Sequence, residues 1–116
     1  MSAFNKKKFL AKLGVKNRTK VSLPDGDVWV KALTCLENEQ FEDLALGDNG
    51  RPRTDVSVKA IMAIMTAEDE SGEKIFTMDD LDLLNQMPAA DINKLFSAAQ
   101  KLNNISDEDI KELQKN

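Results

Sequence analysis

The chain has 116 residues, of which 41% are hydrophobic and 31% charged; its net charge is −4, and it holds one cysteine and no histidine. That length suits one domain with a core of its own, and no segment approaches the roughly 20 apolar residues that span a bilayer. Without histidine, the commonest general base, the usual partner of Ser and Cys nucleophiles and the commonest zinc ligand are all missing, which argues against hydrolase or zinc chemistry.

Charge is placed unevenly. Residues 1–24 hold seven cations and no acid, and the remainder holds 20 acids against nine bases. Such asymmetry can mark an electrostatic contact with an acidic partner, or a solvated helix face. Residues 1–20 read as a basic arm. No apolar run or small-residue cleavage site follows the first lysines, so a cytoplasmic address is expected. Phe4, Phe9, Leu10 and Leu13 lie among those lysines with Gly14 next, the pattern of a short helix closed by a glycine.

Residues 21–23 and 28–33 are two runs rich in β-branched and large apolar side chains, separated by Pro24-Asp25-Gly26-Asp27. Proline presets its own φ, aspartate can bond the backbone beyond it and glycine accepts positive φ, so a β-hairpin is predicted. Thr34 then stands three residues before Glu37, the spacing of a capping box. The helix it opens has Leu36, Phe41, Leu44 and Ala45 on its apolar side, and Cys35 reads as a small buried hydrophobe. Residues 47–53 end it in a polar, irregular loop.

Residues 56–67 alternate at Val56, Val58, Ala60, Met62 and Ile64, although Ile61, Met62 and Met65 would also suit a helix. Context favours a strand: Gly72 marks a turn over residues 69–73, and the short Ile75-Phe76 return suggests a second hairpin. Thr77 and Asp80 cap a helix carrying Leu81, Leu84 and Met87, which Pro88 ends while opening the next. That next helix shows the clearest stripe in the chain, Ile92, Leu95, Phe96, Ala99 and Leu102, closed by Asn103-Asn104. Ser106 and Asp109 cap a last helix over residues 106–116. Only Ile110 and Leu113 give it an apolar side, so it is loosely held or borrows a partner. The fold class is α+β: a small antiparallel sheet of two hairpins with about five short helices.

Motifs that carry chemistry are missing. Gly47-Asp48-Asn49-Gly50 has the spacing of an RNA-clamping loop but acidic and neutral residues at its centre. Asp79, Asp80 and Asp82 lack the glycine and terminal glutamate of a calcium loop and read as capping charges. There is no phosphate-binding loop, nucleophile elbow or cysteine cluster, and hence no expected catalytic residue, metal or cofactor.

Taken in order, these residues resemble the tail assembly chaperones of long-tailed, siphovirus-like bacteriophages and prophages. The likeness rests on the apolar run closing in Asp69-Glu70-Ser71-Gly72, on Ile75-Phe76, on the Asp79 to Leu84 helix, and on Leu95-Phe96 leading to Leu102-Asn103 and Ile105-Ser106. The hairpin with Thr34, Glu37 and Phe41 behind it is similar to that family's opening, so most of the chain is covered. The resemblance implies one chaperone-like domain over residues 1–116: a small non-catalytic protein of the host cytoplasm that binds the tape measure protein and recruits tail tube subunits. It also implies a second, longer form made by ribosomal frameshifting near the end of the short reading frame.

The partner surface is then expected at the two ends, at Phe4, Lys6, Lys7, Lys8 and Phe9 and at Ile110 and Leu113. Met62, Met65, Met78 and Met87 are adaptable side chains that suit either a core or a binding surface. The opposed charges of arm and body would permit head-to-tail self-association. The alternative is a small nucleic-acid-binding regulator using Lys6, Lys7, Lys8, Lys12, Lys16, Arg18 and Lys20, disfavoured because no helix-turn-helix or stacking sheet is recognisable.

Overall fold

A computed structural model describes residues 3–13 and 17–103. Gly14, the capping pair Ser106 and Asp109, and the site candidates Ile110 and Leu113 lie outside the described residues. The elements in chain order are α1 (Lys6–Leu10), β1 (Arg18–Leu23), β2 (Gly26–Lys31), α2 (Cys35–Ala45), α3 (Val58–Thr66), β3 (Ala67–Glu68), a 3₁₀ turn (Met78–Asp80), α4 (Leu81–Leu84) and α5 (Ala89–Leu102). They form an α+β fold with a three-stranded antiparallel sheet ordered β1-β2-β3.

The first hairpin forms where predicted. Val21 faces Val28 and Thr19 faces Val30 across it, and Gly26 takes a φ of 137° that a side chain would resist. Alternation along β2 sends Val28 and Val30 into the core and leaves Trp29 half-buried on the other face. On the far edge of β2, Trp29 pairs with Glu68 and Val30 with Ala67 of β3.

The predicted strand over residues 56–67 is a helix for most of its length. Ser57 caps α3 by accepting from the Ala60 amide at 3.1 Å, and every residue from Ala60 to Thr66 is buried. Alternation could not discriminate because α3 runs through the middle of the molecule, with α5, α2, α4 and β2 all in contact with it. Its run of seven buried residues is apolar without interruption up to Thr66, so strand alternation and helical spacing can both be read from it. The one polar group in that run, the Thr66 hydroxyl, donates to the Met62 carbonyl at 2.7 Å.

The second hairpin is correspondingly reduced. β3 is two residues long, and one isolated bridge, Glu68 to Lys74, closes the turn over residues 69–73. That turn is well made: Asp69 Oδ1 accepts from the Ser71 hydroxyl at 2.7 Å and from the Ser71 and Glu73 amides, and Gly72 has a φ of 93°. The loop over residues 47–53, expected to be irregular, is also closed by backbone bonds, Gly47 N to Arg51 O at 2.7 Å and Gly50 N to Gly47 O at 2.9 Å.

The capping box at α2 is present in both halves, the Thr34 hydroxyl accepting from the Glu37 amide and the Glu37 carboxylate from the Thr34 amide. Two expectations around it fail. Cys35 is exposed and Leu36 is exposed, because the inward face of α2 is set by Phe41 and Ala45. At about 100° per residue Leu36 points nearly opposite Ala45, and Cys35 falls to one side.

Thr77 and Asp80 cap as predicted, but α4 ends at Leu84, and Met87 sits beyond it. Pro88 opens α5, on which Ile92, Leu95, Phe96 and Ala99 are buried and Leu102 is half-buried. Asn103 closes α5: its side-chain amide donates to the Ala99 carbonyl, and its Oδ1 accepts from the Leu33 amide at 2.7 Å.

Candidate partner surfaces

Among the described residues, the arm and a groove on the body both offer apolar side chains to solvent. Asn5 caps α1 by accepting from the Lys8 amide at 3.0 Å, and none of the five residues of α1 is buried. Phe4 is 76% exposed and Phe9 52%, with their ring centroids 5.5 Å apart. The Lys12 ammonium lies 5.2 Å from the Phe9 centroid. Lys6, Lys7 and Lys8 are exposed on α1, so five of the seven candidates named from sequence stand exposed on the arm, and Ile110 and Leu113 lie outside the described residues.

Two cations grouped with this arm are engaged elsewhere. Arg18 donates to the Asp69 carbonyl at 3.2 Å and the Glu70 carbonyl at 2.9 Å, approaches Glu68 at 3.9 Å and lies over Trp29. Lys20 sits 3.9 Å from Asp27 across the hairpin. Arg18 is therefore a brace of the sheet and not a free phosphate ligand.

The second face was not legible in the sequence. The β1–β2 turn and the corner between α4 and α5 enclose an open groove of about 480 Å³. Leu23, Val28, Leu84, Ile92 and Leu95 contribute to its walls, core residues reaching the surface at one edge. Its lips are Ile75, 40% exposed, Leu83, 67% exposed, and Met87, 48% exposed. All the charged residues lining it are aspartates: Asp25, Asp27, Asp80 and Asp91.

One local signal existed. In Leu81-Asp82-Leu83-Leu84, Leu81 and Leu84 share a helical face three residues apart, so Leu83 must point away from it. Likewise, of the four methionines after Met1, Met62 and Met65 fill the core while Met78 and Met87 reach solvent.

Among the described residues, no group of His, Cys, Asp and Glu could hold a metal, and no helix is long and apolar enough to cross a membrane. No family model matches the chain, and no curated protein matches it in sequence. In structure, it is similar to the tail assembly chaperone of bacteriophage HK97, with a TM-score of 0.58 over 82% of this chain and 97% of that one. The chain shares that chaperone's fold. Sequence identity over the match is 12%, so architecture is retained where residue identity is not.

Proposed function

We propose that this chain is a phage tail assembly chaperone: a non-catalytic protein that binds the tape measure protein in the host cytoplasm, keeps it soluble and recruits tail tube subunits to it. The observation that carries this reading is the shared fold, which spans nearly all of the bacteriophage HK97 chaperone. A holdase needs accessible apolar surface and no reaction centre. The arm and the groove supply the first, and the absence of histidine and of a nucleophile motif is in keeping with the second.

The basic arm and the acidic body also support self-association, with arm against body in successive copies. Low-salt sedimentation would show it as a mass that rises with concentration and falls as salt screens the contact. The reading as a whole is tested by coexpression with the tape measure and tail tube proteins of the same genome. The expected result is a tape measure protein that stays soluble and copurifies. An insoluble tape measure protein with nothing copurifying sinks the assignment.

A further inference from the structure

We propose that the groove between the β1–β2 turn and the α4–α5 corner seats a basic amphipathic helix, one that carries two or three large apolar side chains on a face flanked by lysine or arginine. Only the source of that helix, a client of the chaperone, rests on the function proposed above; the groove's own chemistry does not.

Three observations select this occupant. The walls are apolar and continuous with the core, yet Leu83 and Met87 stand at the lip more than two fifths exposed. Isolated exposed leucines are ordinary on a protein surface, but here they border a concave apolar site. A volume near 480 Å³ admits a few side chains and not the width of a helix, so the partner must lie across the lips and insert anchors at helical spacing. Methionine at the edge lets such a site adapt to differing anchors.

The rim then selects charge. Asp27 is partly neutralised by Lys20, and the Asp80 carboxylate accepts from the Thr77 amide. Asp25 and Asp91 form no ion pair with the described residues. A place near a helix N-terminus accounts for Asp80 and Asp91 without a ligand, but Asp25 sits on a hairpin turn where no helix dipole requires an anion. Acid on both sides of an apolar floor, with no cation lining it, is complementary to the face of a basic amphipathic helix.

The probe is a fluorescein-labelled synthetic peptide of leucine and lysine, about four helical turns long, with leucines at i, i+3, i+4 and i+7. Its counterpart with glutamate in place of lysine is the control. Fluorescence anisotropy with the full chain should show saturable binding of the lysine peptide that weakens as salt rises, and none of the glutamate peptide. Leu83→Lys and Met87→Lys alter exposed side chains, so folding measured by thermal melting should be retained while affinity falls at least about tenfold. Asp25→Asn with Asp91→Asn should weaken binding and flatten its salt dependence. Binding shared by the glutamate peptide, or unchanged in the Leu83 and Met87 variants, overturns the proposal. So does self-association that Leu83→Lys abolishes, since the groove's occupant is then a second copy. In coexpression, a tape measure protein held equally well by wild type and both variants overturns that client as the source of the helix and leaves the chaperone reading standing. Peptide binding that depends on Leu83 and Met87, in a chain that solubilises no tape measure protein, supports the groove and overturns the chaperone reading.

Discussion

The Arg18 guanidinium lies 5.6 Å from the centroid of the Trp29 ring while its two terminal nitrogens reach the carbonyls of Asp69 and Glu70. The side chain thus crosses the face of the sheet, from β1 over β2 to the turn that follows β3. A planar fork holds two donors in fixed geometry beside the indole, whereas a lysine ammonium offers the charge without that fork. Replacing Arg18 by alanine should destabilise the fold by about 1.5–3 kcal/mol, the range for hydrogen bonds involving a charged group, and Arg18→Lys should recover less than half. Urea unfolding followed by Trp29 fluorescence reads both, and equal stability of the three proteins would contradict the brace.

Glu37 gives the fold an acid-sensitive joint. Partial burial pushes its carboxyl up, but the hydrogen bond from Lys31 and those with Thr34 outweigh it and hold the group below its usual value of 4.5. Because the folded value is the lower one, the stabilisation is complete above the ordinary carboxylate range and is lost as pH falls through the folded value. The urea midpoint of the wild type should therefore drop between pH 6 and pH 3 by more than that of Glu37→Gln. Parallel curves would count against the linkage.

Asn103 ties the end of α5 to the segment between β2 and α2, since its Oδ1 accepts from the Leu33 amide 70 positions away in sequence. Asn103→Ala leaves a part-buried amide without its acceptor, at a cost of about 1–3 kcal/mol. Asn103→Asp keeps an acceptor for Leu33 but sets a carboxylate oxygen against the Ala99 carbonyl at the negative end of α5, so it should cost at least as much as alanine. Thermal melting of the two variants ranks them, and the reverse order would be inconsistent with this contact.

Cys35, on the exposed flank of α2, should react with a thiol reagent in the native protein, with one thiol titrated per chain before any denaturant is added. A thiol that appears only on unfolding would place α2 in a different rotation about its axis.

What could be read from sequence divides by whether the signal is local. The hairpin around Pro24-Asp25-Gly26, the Thr34–Glu37 and Thr77–Asp80 caps and the α5 stripe each depend on residues a few positions apart, and all four are present. Residues 56–67 misled because Ala60 to Thr66 are all buried, and an unbroken apolar run fits strand and helix alike. Cys35 and Leu36 misled for a related reason: apolar identity does not fix the rotation of a helix when only Phe41 and Ala45 are buried on it. The arm's exposure was legible from its lysines. The groove was not, because Leu23 and Leu83 meet there only through the packing of β1 and β2 on α5.

The burial of α3 on every side makes it a record of whole-molecule opening. Its backbone amides are held in helical bonds and covered by the elements around them, so they should exchange most slowly, by openings close to global unfolding. A partner that binds only the folded form lowers the frequency of those openings by mass action without touching α3. The rate of isotope uptake between Ile61 and Thr66 should therefore report occupancy of any surface on the folded chain, whichever residues a partner contacts.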